Sequence, residues 1–89
     1  MGSAGNLIVF AGLPGSGKST VAKLLSRETG SIFLRVDEIE TSIRLFDERR
    51  DIGPAGYHVA AALAASNLVL GHDAIVECVY PWALTRDIF

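Results

Sequence analysis

Residues 12–19, Gly-Leu-Pro-Gly-Ser-Gly-Lys-Ser, constrain this chain more than any other stretch, because they match G-x-x-x-x-G-K-[ST] at every fixed position. The run before them, Leu7 to Ala11 (LIVFA), is continuous, apolar and rich in β-branched residues, the pattern of a strand buried on both faces in a parallel sheet. Behind them, Ser19 to Glu28 places Val21, Leu24, Leu25 and Glu28 at neighbouring helical positions, with Gly30 set to end the helix in a left-handed cap. In that context Gly12, Gly15 and Gly17 let the backbone curl, so that successive N–H groups from loop and helix N-terminus point at phosphate oxygens. The predicted cradle runs from Gly12 through Leu13, Pro14, Gly15, Ser16 and Gly17 to Thr20. Lys18 supplies a positive charge for the β- and γ-phosphates, Ser19 a hydroxyl for magnesium, and Thr20 a hydroxyl and N–H near the α-phosphate. A glycine-rich turn with an incidental lysine is the competing explanation, and it leaves the flanking strand and helix unaccounted for.

A length of 89 residues limits the chain to one domain, 1–89. With 49% of residues apolar and 20% charged, the composition is that of a globular chain rather than a disordered one. Eight Lys and Arg against ten Asp and Glu, spread along the chain for a net charge of -2, leave no electrostatic footprint for nucleic acid. The single cysteine, Cys78, makes no internal disulfide or Cys-based zinc cluster, and no secretory signal precedes the first strand, so a cytoplasmic protein is expected. No apolar run approaches the roughly 20 residues of a membrane span.

Beyond the first helix, Ile32 to Val36 reads as a second strand. Asp37 stands three residues before Glu40, a capping-box spacing that predicts a helix carrying Ile39, Ile43 and Phe46 and stopping in the Arg49 to Pro54 segment. Gly56 to Leu70 reads as another helix, with Val59, Leu63, Ser66 and Leu70 on one face, a run of alanines suited to close approach to a sheet, and Gly71 as cap. Ala74 to Tyr80 (AIVECVY) reads as a third strand, and Pro81 opens a further helix that has barely begun at Phe89. Strands alternating with helices predict an α/β fold with right-handed crossovers and a ligand site at the carboxyl ends of a parallel sheet.

Two acidic residues stand where chemistry would need them. Asp37 follows the second strand, at the sheet edge that bears the glycine loop, where its carboxylate can orient or deprotonate an acceptor hydroxyl; a plain helix N-cap is the alternative. Glu77 interrupts an apolar strand and needs a partner there, either a magnesium-bound water or Ser19 and Lys18; a solvent-facing strand edge is the alternative. Arg44 and Arg86 are candidates for holding an anion, with exposed helix positions the bland reading. His58 and His72 lack a second ligand at metal spacing, Cys78 reads as a small apolar strand residue, and Tyr57, Tyr80 and Trp82 read as packing.

The stretches GLPGSGKST, FLRVDEIETSIR, GPAGYHVAAALAASNLVLG and YPWALTR together resemble the small P-loop kinases related to adenylylsulfate kinase, chloramphenicol phosphotransferase and zeta-toxin-like kinases, from about Leu7 to the end. The resemblance implies a three-layer α/β/α P-loop fold with a parallel sheet ordered 2-3-1-4-5, of which this chain carries the first three strands. It also implies ATP and magnesium as cofactors and transfer of the γ-phosphoryl group to a small-molecule acceptor. On it, Lys18 and Ser19 serve phosphates and metal, Asp37 faces the acceptor, and Arg86 lies near the substrate. Glu77 and Tyr80 replace the Asp and Asn of many relatives. The chain is expected to be a piece of a longer kinase, or to pair with a copy of itself through an open first-strand edge, and to be a poor catalyst without the family's lid. The alternatives are a nucleotide-binding regulator or switch without kinase activity, and a truncated chain that merely retains the fold.

Overall fold

The computed structural model describes residues 4–12, 17–46 and 54–79. Strands β1 (Leu7–Ala11), β2 (Ile32–Arg35) and β3 (Ala74–Cys78) form one parallel sheet in the order β1-β3-β2, with helices α1 (Lys18–Thr29), α2 (Val36–Phe46) and α3 (Ala55–Val69) between them in sequence. This is the 2-3-1 portion of the expected order, and it makes β3 the central strand, buried at every position. Leu7 to Ala11 pair with Ala74 to Cys78, and Ile32 to Arg35 pair with Ala74 to Glu77.

Strand alternation divides β3 between two layers. Ala74, Val76 and Cys78 pack with Tyr57, Ala60, Ala61 and Ala64 of α3 and Val36 of α2, while Glu77 faces the other way and meets Ser19 of α1. The three-layer α/β/α arrangement expected from the sequence is therefore present. Alanines let α3 lie close to the sheet, and Gly56 lets it lie close to α2, since a Cβ there would fall 2.5 Å from Glu40 Cγ. The alanine run expected to allow close approach to the sheet is the buried face of α3, while Val59 and Leu63, at 41% and 45%, and Leu70, at 71%, lie on its exposed side.

Helix ends follow the local chemistry. α1 ends at Gly30 (φ 71°), whose N–H donates to Ser26 O at 2.9 Å, as the left-handed cap predicted. Ser26 Oγ then donates to Ser31 O at 2.7 Å, fixing the turn into β2. Gly71 (φ 88°) follows α3 and donates to Leu68 O at 3.0 Å. A correction concerns α2. It begins at Val36, so Asp37 lies inside the first turn, where its charge suits the helix dipole, rather than at the N-cap. The strand ending predicted at Tyr80 stops at Cys78; Tyr80, Pro81 and the helix predicted after them lie outside the described residues. Among the described residues no helix is long and apolar enough to cross a membrane.

Candidate active site

β1 and β3 end side by side, and Gly12 extends their pairing by donating its N–H to Cys78 O at 3.3 Å. Gly12 (φ 145°) and Gly17 (φ 85°) both adopt backbone conformations that favour glycine, one leaving the strand and one entering the helix. Gly17 is the N-cap of α1, and no side chain among the described residues caps that end. Its first N–H groups and the positive end of the helix dipole thus remain available to an anion.

Lys18, the first residue of α1, reaches back over the strand ends, donating from Nζ to the carbonyl of Gly12 and to Cys78 O at 3.0 Å. One residue on, Ser19 Oγ donates to Glu77 Oε1. Glu77 is 6% exposed, and its other oxygen, Oε2, accepts from Arg35 Nε at 3.0 Å. Burial removes the solvent-facing alternative for Glu77: the carboxylate is held by Ser19 of α1 and Arg35 of β2. Arg35 also meets Glu38 at 3.5 Å, an exposed pair of little energetic weight.

A cavity of about 420 Å³ opens at this end of the sheet, in the size range of small-molecule sites. Its walls include Lys18, Ser19, Thr20, Asp37, Glu40 and Glu77. Asp37 and Glu40 stand one helical turn apart on α2 and share the cavity with the start of α1. Burial pushes the Cys78 thiol above its ordinary range, with the positive charge of Lys18 opposing and Glu77 reinforcing that shift. Cys78 is buried in β3, as expected of a small apolar strand residue.

Of the residues singled out in the sequence, Gly12, Gly17, Lys18, Ser19, Thr20, Asp37 and Glu77 all lie at this end of the sheet. Leu13, Pro14, Gly15, Ser16, Arg86 and Trp82 lie outside the described residues. Arg44 sits in the last turn of α2, away from the cavity wall, and Tyr57 is 8% exposed in the core, with one side on the cavity. His58 and His72 are exposed, and no group of three or more His, Cys, Asp or Glu is arranged for a metal among the described residues. Sequence reading missed Arg35. Its signal was present, for it breaks the apolar run of β2 as Glu77 breaks that of β3, and the two are directly paired in register.

The donor set suits magnesium, which takes hard oxygens and is commonly held by one or two carboxylates together with phosphates rather than by an all-protein cage. Ser19 Oγ and the Glu77 carboxylate supply such oxygens at one point beside Lys18.

The profile of a family described as AAA domain matches residues 7–84. No curated protein matches the chain. Among solved structures, the chain is similar to a candidate kinase from Chloroflexus aurantiacus J-10-fl, whose crystal structure was determined at 1.70 Å resolution. The two share 23% identity with a TM-score of 0.67, over 88% of this chain and 46% of that one. At that identity the likeness is one of fold, and this chain spans about half the length of the similar one, 46%.

Proposed function

The chain belongs to the AAA-domain family, with a P-loop fold of the kinase-like kind, and on that footing we propose that it binds Mg-ATP as part of a small-molecule kinase. The proposed relatives are those its motifs resemble: adenylylsulfate kinase, chloramphenicol phosphotransferase and zeta-toxin-like kinases. Residues 1–89 would then be the nucleotide-holding portion of one domain that continues in the longer protein. The observation that carries this reading is convergence: Lys18 and Ser19 from α1, Asp37 from α2 and Glu77 from β3 all line one cavity at the carboxyl end of the sheet.

In this reading the loop amides and the α1 N-terminus grip the phosphates, and Lys18 exchanges its bonds to two strand-end carbonyls for phosphate oxygens. Magnesium, when bound beside Ser19 and Glu77, would draw charge from the phosphate oxygens. Asp37 orients the acceptor hydroxyl. As the acceptor oxygen bonds to the γ-phosphorus and the bond to the β–γ bridging oxygen breaks, the hydroxyl proton passes to the Asp37 carboxylate and ADP departs. On the resemblance alone, Arg86, which lies outside the described residues, is assigned to the substrate.

Two substitutions test the assignment. Lys18→Ala removes a charge-assisted contact, which weakens ATP binding by roughly 10–100-fold in calorimetric titration. Asp37→Asn lowers phosphoryl transfer to an acceptor panel by roughly 10²–10⁴-fold in the longer protein while ATP affinity holds. Unchanged ATP affinity in the lysine variant would remove the phosphate site; transfer undiminished in the aspartate variant would remove the base.

A further inference from the structure

The two oxygens of Glu77 have different partners, and the division between them is not explained by phosphate binding alone. Oε1 accepts from Ser19 Oγ and Oε2 from Arg35 Nε at 3.0 Å. A glutamate's terminal torsion is broad and roughly two-fold, so a carboxylate on a strand does not choose its own orientation. Arg35 supplies the choice. Its Cα is the register partner of Glu77 across β2 and β3, its guanidinium is permanently charged and planar, and Glu77, at 6% exposure, has little water to replace it. On its outer side the guanidinium also meets Glu38 at 3.5 Å, an exposed contact that adds little.

Resting on the Mg-ATP reading above, we infer that Arg35 is a positioning residue for the magnesium side of the site: by holding Glu77 Oε2 it keeps Oε1 turned toward the Ser19 hydroxyl. It touches neither phosphate nor acceptor in this role, and acts through the orientation of Glu77. The consequence is selective. Loss of Arg35 leaves Lys18 and the N-terminus of α1 in place, so the metal-independent grip on phosphate survives while the magnesium-dependent gain in affinity is lost.

Calorimetric titration of the 89-residue chain with the non-hydrolysable analogue AMP-PNP, with and without magnesium, separates these two quantities. For Arg35→Ala the metal-free affinity stays within about twofold of wild type, while the gain on adding magnesium shrinks by roughly 10–100-fold, the usual effect of removing a partner that orients a metal ligand. Arg35→Lys restores the charge without the planar fork and recovers part of that gain. A gain preserved or enlarged in Arg35→Ala overturns the inference, and so does an equal fall in both affinities, which would mark the arginine as a support of the fold alone. If Arg35→Ala does not fold by circular dichroism, Arg35→Gln, which keeps an N–H donor on a shorter side chain, is read by the same two outcomes. A wild-type chain with no magnesium-dependent binding sinks the Mg-ATP reading itself; variants indistinguishable from a wild type that does bind sink only the role of Arg35.

Discussion

An ionised side chain inside a strand survives folding only if its partners replace the water it gives up. Glu77 has such partners in Ser19 and Arg35, which makes it a structural residue as well as a candidate magnesium residue. Glu77→Ala leaves the guanidinium and the hydroxyl facing a gap, and is expected to destabilise the chain by about 1–3 kcal/mol. The lower end applies, because the Arg35 side chain keeps 27% of its exposure and water can reach it. Urea denaturation would register the change as a fall in midpoint without a change in slope, and an unaltered midpoint would mean that the carboxylate is not held as described. Legibility at this scale depended on distance along the chain. Lys18 and Ser19 were readable because their motif is contiguous, whereas the role of Arg35 depends on its register with a residue 42 positions away, which no local pattern specifies.

Elements were legible wherever a local signal stood alone. The glycine that ends α1 was predicted from its place after an amphipathic segment, and Gly30 adopts φ 71° there. α3 is apolar nearly all round, so its periodicity names no buried face and only its alanine run hinted at one. Size decides instead. Ala60 and Ala64 are fully buried against the sheet, and larger residues there would hold the helix off it, while Val59 and Leu63 are left on the outer side. A paired substitution tests this choice. Ala60→Leu overpacks the contact and lowers stability by about 1–3 kcal/mol, which for a domain of this size corresponds to roughly 4–8 °C per kcal/mol in a thermal melt. Leu63→Ala, on the half-exposed face, should stay within about 1 kcal/mol of wild type. The reverse ranking would place the leucine face inward, against the burial of the alanines. The start of α2 was misplaced for a different reason: Val36 is a strand former by composition, yet its side chain completes the core under α3, and helix geometry from that residue onward is what carries Asp37 and Glu40 to the cavity.

For the molecule as a whole, the sheet order leaves a question that its residues answer in part. Among the described residues β1 has a single neighbour, β3, and its other edge carries no strand. Yet LIVFA is written for burial, and Leu7 and Val9 remain 37% and 39% exposed, while Val21 and Leu24 on α1 are 55% and 52% exposed. A strand edge with free backbone donors and acceptors beside apolar side chains is a template for pairing. If residues 1–89 are part of a longer kinase, as proposed above, further chain covers it; otherwise another copy does. The 89-residue chain by itself is therefore expected to self-associate through β1, so that sedimentation experiments give an average mass that rises with concentration. Val9→Lys places a charge on the exposed strand face, where it repels its counterpart in a facing copy, and should lower that association without loss of the parallel pairing to β3, since the register contacts are made by the main chain. A longer protein whose own chain supplied the covering strand should show no such dependence. A monomer at high concentration, unaffected by Val9→Lys, would mean that the exposed apolar positions of β1 and α1 are tolerated as they stand, and the open edge would lose its standing as an interface.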